Sequence, residues 1–115
     1  MSNRIARVNA LITKELGEII RSEIDLPSGI LVTVIKTDAA VDLKTATVYL
    51  SVLPDQKAPS TFKLLMARKT TFQRLLNRRL HMKSVPQLKF ERDTGQRQAA
   101  LIEELLQDER GNRSD

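Results

Sequence analysis

Residues 45–53, with the sequence TATVYLSVL, decide the fold of this chain. Apolar and polar residues alternate along the whole stretch, which is the two-residue period of a strand with one face in the core. The core residues predicted for this strand are Ala46, Val48, Leu50 and Val52. Residues 30–36, ILVTVIK, predict a second strand that is buried on both faces. The connection at residues 37–44 is too short for a crossover helix, so the two strands are expected to pair antiparallel.

Two helical stretches flank this pair of strands. Residues 4–23 place apolar side chains at three- and four-residue spacing and predict an amphipathic helix. Residues 60–83 predict another, with an apolar stripe made of Leu65, Phe72, Leu75, Leu76 and Leu80. On one straight helix Arg68 would fall within that stripe, so we expect a break at residues 69–71. The alternative is a single helix in which the long Arg68 side chain extends to solvent.

The rest of the chain completes one small domain. Residues 85–90, VPQLKF, alternate and predict a third strand, with Pro86 at its start or on a sheet edge. Residues 99–109 predict a short final helix with an acidic face, and residues 110–115 a flexible tail. This order predicts an α+β fold, a three-stranded sheet with helices packed on one face. A single domain over residues 1–109 accounts for the chain of 115 residues.

The composition excludes several classes of function. Cysteine is absent and His81 is the one histidine, so thiolate chemistry is excluded and a metal site is not expected. The sequence has neither a nucleophile elbow nor a glycine-rich phosphate loop, so we expect no enzyme, no cofactor and no small-molecule substrate. No apolar run approaches the ~20 residues of a membrane span. We therefore expect a cytoplasmic protein that does not bind membranes.

Positive charge is concentrated in one stretch. The chain has 19 Lys and Arg against 14 Asp and Glu, a net charge of +5. Residues 59–92 contain nine of the basic residues and a single acidic one, Glu91. Such an asymmetry predicts a surface that faces a polyanion. The expected phosphate contacts are Arg68, Lys69, Arg74, Arg78, Arg79 and Lys83, followed by Arg4, Arg7, Lys14, Lys36 and Lys44.

The polyanion predicted is structured RNA. Base-stacking proteins need several exposed aromatic side chains, and Tyr49 is the only candidate for one in this sequence. Recognition through the RNA backbone and shape fits better. Two alternatives remain open. One is a sequence-specific DNA-binding module that uses the region of Thr70 as a helix-turn-helix. The other is a basic protein-interaction domain that docks an acidic partner protein.

Four segments, in this order and spacing, resemble one bacterial family. They are residues 4–8, RIARV; residues 42–51, DLKTATVYLS; residues 74–80, RLLNRRL; and residues 85–93, VPQLKFERD. Together they are similar to the ribosome-binding factor A family from about residue 3 to residue 107. The family usually kinks its helix pair at an Ala-x-Gly motif. That motif aligns with Arg68-Lys69-Thr70, so both small residues are missing here.

The resemblance implies a fold and a function. The implied fold is of the type II KH-like class. The implied protein is a monomeric, non-catalytic assembly factor that binds the precursor of the small (30S) ribosomal subunit and its 16S rRNA. It would support late maturation and the processing of rRNA ends, notably in the cold.

Overall fold

A computed structural model describes residues 2–93 of the chain. The helices are α1 (Ser2–Glu23), α2 (Ala58–Ala67) and α3 (Lys69–Arg79), and the strands are β1 (Leu31–Ala39), β2 (Thr45–Leu53) and β3 (Gln87–Arg92). A short 3₁₀ turn at Asp55–Lys57 leads into α2. The helix predicted at residues 99–109 and the tail predicted at residues 110–115 lie outside the described residues.

The central strand is β2, in a sheet of order β1-β2-β3. β1 pairs with it antiparallel, as predicted, and β3 pairs with it parallel. Parallel neighbours need a crossover connection, which α2 and α3 provide. The four predicted core residues of β2 are all buried, so the alternating pattern is confirmed. The α+β class and the type II KH-like strand order are confirmed as well.

The prediction that the first strand is buried on both faces is wrong. β1 is an edge strand, and none of its residues from Leu31 to Lys36 is fully buried. Leu31 is 59% exposed and Thr33 also faces solvent. The register shifts between Val34 and Lys36, where Ile35 is an extra residue in a β-bulge. A bulge twists a free strand edge and makes it a poorer template for another chain.

Helix α1 packs across the sheet through a single apolar stripe. Its buried side chains are Val8, Ile12, Leu16, Ile19 and Ile20. Two polar contacts fix α1 on β1. The Thr13 hydroxyl donates to the Thr37 hydroxyl at 2.9 Å, and the Ala39 backbone N–H donates to the Asn9 side-chain oxygen at 2.7 Å. The opposite side of α1, with Arg4, Arg7 and Lys14, is exposed.

The predicted break in the long helix is confirmed, but it falls at Arg68, one residue before the predicted residues 69–71. Arg68 has φ −102° and ψ 9°, and it separates α2 from α3. The Arg68 N–H donates to the Leu65 carbonyl at 3.0 Å, a tighter turn than the α-helix makes. The break lets Leu65 and Phe72 both enter the core, whereas Arg68 stays partly exposed. The alternative of a single unbroken helix is therefore wrong.

Helix α3 ends at Arg79, four residues before the predicted end of that helix. Leu80 has an extended backbone and is buried, so the chain turns there to place its side chain in the core. β3 begins at Gln87 rather than at Val85. Pro86 is buried just before it and has no N–H to donate to a strand neighbour.

Candidate nucleic-acid interface

The exposed face of α3 carries an unpaired basic pair. Arg74 and Arg78 are one helical turn apart and both are exposed. Neither guanidinium has a carboxylate partner within residues 2–93. Like charges at this spacing repel each other, so an anion placed between them relieves the repulsion. Together with Lys69, which is also unpaired within residues 2–93, they form what we call the α3 face.

A depression of about 320 Å³ lies along the α3 face, between α3 and the start of β3. Gln73 forms its floor and ties the two elements together. Its side-chain N–H donates to the Pro86 carbonyl at 3.1 Å, and its side-chain oxygen accepts the Leu88 N–H at 2.8 Å. The amide thus bonds the backbone on both sides of Gln87, as a neighbouring strand would, and holds the α3 face in place.

Gln73→Ala is expected to lower the free energy of unfolding by about 1–3 kcal/mol, because it leaves a partly buried N–H and carbonyl without partners. Urea unfolding followed by circular dichroism measures this. Asn77→Ala is the matched control, since Asn77 is exposed and its side-chain oxygen accepts a hydrogen bond from the Gln73 amide. Equal small losses for the two variants would show that the Gln73 contacts do not hold β3.

Arg79 is exposed like its neighbour Arg78, but unlike Arg78 it has carboxylate partners. Its Nη1 donates to a carboxylate oxygen of Glu15 and to one of Glu18, both at 2.9 Å. Lys14 lies close to the same carboxylates, at 3.5 Å and 3.7 Å. Arg79 therefore connects α3 to α1, and its predicted phosphate contact would have to compete with two carboxylates.

The Arg79–Glu15 contact changes the ionisation of both groups. The hydrogen bond from Arg79 lowers the pKa of Glu15 below its ordinary value, and Lys14 lowers it further. The hydrogen bonds that Arg79 donates to Glu15 and Glu18 raise the pKa of Arg79. Because the pKa of Glu15 is lower in the folded chain than in the unfolded one, its ionised carboxylate stabilises the fold at pH values above the unfolded pKa, 4.5. This contribution is lost as the pH falls through the pKa of the folded chain.

Arg79→Gln is expected to destabilise the fold at pH 7, and this effect should shrink as the pH falls below the unfolded pKa of Glu15, 4.5. The reason is that acid protonates Glu15 and removes the same contact from the original chain. Urea midpoints of both proteins at pH 7, 5 and 3 measure the difference. A difference that stays constant across this range would show that Arg79 stabilises the fold by packing alone.

Three other predicted contacts also lie beside acidic groups. Arg68 is 4.0 Å from Glu23. Lys36 is 3.4 Å from Asp38 and lies over the Tyr49 ring, 5.9 Å from its centroid. Lys14 is the third, next to Glu15 and Glu18 as described above. These pairs are exposed, and exposed ion pairs are weak enough to open for a phosphate group.

A second basic surface joins residues that are far apart in the sequence. The start of α1, the β1–β2 turn and the α3–β3 connection enclose a groove of about 870 Å³. We call it the basic groove. Its cationic rim consists of Arg4, Arg7, Lys44 and Lys83, and its apolar floor of Val8, Leu11, Val41, Leu43 and Met82; His81 also lines it. Asp42 is its one acidic residue, and one of its carboxylate oxygens accepts the Lys44 backbone N–H at 3.0 Å.

The eleven predicted contacts therefore do not form one surface. The α3 face holds Lys69, Arg74 and Arg78, and the basic groove holds Lys83 together with Arg4, Arg7 and Lys44. His81 was not among the eleven, although its position in a basic stretch was a signal for it. The grouping in the groove depends on how the start of α1 and two connections come together, which residue spacing does not reveal.

The DNA-binding alternative lacks support in this geometry. A helix-turn-helix needs a turn of about three or four residues between its helices. Only Arg68 separates α2 from α3. Within residues 2–93 no helix is long and apolar enough to span a membrane, and no group of three or more His, Asp or Glu side chains could hold a metal ion.

The strand order, the helix pair broken at Arg68 and the basic α3 face define a type II KH-like domain with a surface suited to a polyanion. The family model of ribosome-binding factor A matches residues 4–106. Ribosome-binding factor A of Alkalilimnicola ehrlichii is 33% identical over 118 aligned positions, which cover 97% of this chain and 91% of the relative. That of Staphylococcus carnosus is 34% identical, covering 91% of this chain and 92% of the relative. The chain therefore belongs to the ribosome-binding factor A family.

Solved structures of the family show the same fold. The crystal structure of ribosome-binding factor A from Thermus thermophilus superposes with a TM-score of 0.66 at 23% identity, covering 76% of this chain and 93% of that one. A homology model of the Thermus protein, fitted into an electron cryo-microscopy map of its 30S complex, gives a TM-score of 0.63 at 23% identity over 76% and 92% of the two chains.

Proposed function

We propose that this chain is a non-catalytic assembly factor that binds the precursor of the small (30S) ribosomal subunit. It acts on the 16S rRNA as a monomer in the cytoplasm, where it supports late maturation and the processing of rRNA ends. Family membership supports this proposal, as does the 30S complex of the Thermus thermophilus relative. In this chain, the observation that carries the proposal is the exposed pair Arg74 and Arg78, which has no carboxylate partner within residues 2–93.

The α3 face is the part of the domain that would meet the rRNA backbone first. Lys69, Arg74 and Arg78 need not give up a described carboxylate partner to bind phosphate. Arg68 lies at the break next to them and gives up only a weak contact at 4.0 Å. Such contacts position a protein on RNA without reading its bases. Specificity for the small subunit would then come from the shape of the folded rRNA.

Sedimentation with purified ribosomal subunits tests this function. The chain is expected to migrate with the small subunit and not with the large one, and the bound fraction should fall as salt rises, because released counterions weaken phosphate contacts. Equal binding to both subunits would contradict the proposal and indicate a general polyanion surface. Absence of binding to either subunit at low salt would also contradict it.

A further inference from the structure

The basic groove has the chemistry of a peptide site more than that of an RNA site. Its floor is aliphatic and open, with Val41 88% exposed and Leu11 39% exposed. No Phe, Tyr or Trp lines it and His81 is its one ring, so it lacks the set of aromatic side chains on which successive bases stack. An apolar floor with a charged rim fits an amphipathic segment whose apolar side enters the groove and whose acidic residues meet the rim.

The chain itself contains a segment of this kind. Residues 99–109 have the sequence AALIEELLQDE, with no basic residue among them. Their spacing predicts a helix with an apolar stripe, and acidic residues occupy most of its remaining surface. The apolar residues of the predicted stripe are Ala99, Ile102, Leu105 and Leu106, and the acidic residues are Glu103, Glu104, Asp108 and Glu109. At about 100° per residue Glu103 and Asp108 flank the two sides of the stripe, where they can meet Lys and Arg side chains of the rim.

The segment is long enough to reach the groove. The described chain ends at Asp93, whose N–H donates to Leu50, whereas the groove lies at the other end of β3, where Gln87 pairs with Lys44. The path back along β3 is about 20 Å at the usual rise of a strand. Residues 94–98 can span about 17 Å when extended. A helix over residues 99–109 would add about 16 Å. Together the two lengths exceed the path of about 20 Å to the groove.

A second surface lies closer to Asp93, where the described chain ends, and is the alternative binding site for residues 99–109. It is an apolar hollow between the α1–β1 connection and α2, lined by Leu26, Pro27, Ile30, Pro54 and Leu64. Lys57 is the one basic residue in its lining. It would therefore leave most of the carboxylates of residues 99–109 without a partner. Charge complementarity favours the basic groove over this hollow.

We propose that residues 99–109 bind in the basic groove of the same chain and shield its cations. The α3 face remains open in this arrangement. This proposal does not depend on the proposed function, because it concerns a contact within the chain and can be tested without RNA.

Disulfide trapping in the full chain tests the proposal, and the absence of native cysteine keeps the readout clean. One variant carries Val41→Cys with Ile102→Cys, and the control carries Leu64→Cys with Ile102→Cys, which places the first thiol in the apolar hollow. Under oxidised glutathione, the Val41 variant is expected to form its intramolecular disulfide about tenfold faster, because binding raises the local thiol concentration. Mass spectrometry and a non-reducing gel follow the reaction.

Charge reversal at the rim of the basic groove provides a second test of the proposal. Adding Arg4→Glu and Arg7→Glu to the Val41 variant is expected to remove most of the rate advantage, whereas adding Lys57→Glu and Lys63→Glu is not. Faster trapping in the Leu64 variant would overturn the proposal in favour of the apolar hollow. Equal slow rates would overturn it and leave the groove open to RNA. Disulfide-linked dimers that increase with protein concentration would overturn it in favour of a second copy of the chain.

Discussion

Phe72→Ala is expected to lower the free energy of unfolding by about 3–5 kcal/mol, the usual cost of removing a fully buried aromatic side chain. Phe72 is completely buried and packs against Phe90, with ring centroids 6.2 Å apart. It also lies in the first turn of α3, one turn after the break at Arg68. The lost contacts therefore loosen the α3 face as well as the core. Small domains are stable by about 5–15 kcal/mol, so this loss is a large part of the total.

Urea unfolding followed by circular dichroism measures this effect. Leu53→Ala is the control, because Leu53 is an exposed apolar residue at the end of β2 and its loss should cost little. Phe72→Leu should fall between the two, since it keeps part of the buried volume. A loss below about 1.5 kcal/mol for Phe72→Ala would show that the site collapses around the cavity and that the core does not depend on this ring.

Local periodicity predicted the parts of the fold that one segment determines by itself. The alternation in β2 specified its buried face, because side chains of a strand alternate whatever its neighbours are. Arg68 would fall within the apolar stripe of a single straight helix, and this indicated the break, because a charged residue is costly to bury. The Ala-x-Gly motif is not required for this break. The backbone at Arg68 has negative φ, which an arginine adopts without strain.

The errors have a common cause, which is that they depend on which elements become neighbours. The apolar composition of β1 is compatible with a central strand or an edge strand, and the order β1-β2-β3 makes it an edge. The basic groove likewise needs α1, the β1–β2 turn and the α3–β3 connection to meet. Arg79 stays a predicted contact, but its contact with Glu15 could not be predicted either, because it too depends on neighbouring elements. Successive helix residues are about 100° apart, and this rotation directs Arg79 toward α1 while Arg78 faces solvent.

The double variant Arg74→Glu with Arg78→Glu is expected to weaken binding to the small ribosomal subunit about 100-fold at moderate salt, if each lost phosphate contact costs about 1.4 kcal/mol. The slope of log affinity against log salt should become shallower by about 1.4–1.8, as two contacts predict. Folding should be unaffected, because both side chains are exposed and replacing two repelling charges breaks no described ion pair.

The variant Lys57→Glu with Lys63→Glu is the matched control. Both lysines are exposed, neither is among the predicted contacts, and the two double variants have the same net charge. If the net charge of the domain alone determines its affinity for the small subunit, the two variants lose affinity equally, and the α3 face is not the interface. If only the α3 variant loses affinity and salt dependence, the phosphate contacts are local. That outcome is expected, since a Debye length of about 8 Å at physiological salt screens distant charges from the bound RNA.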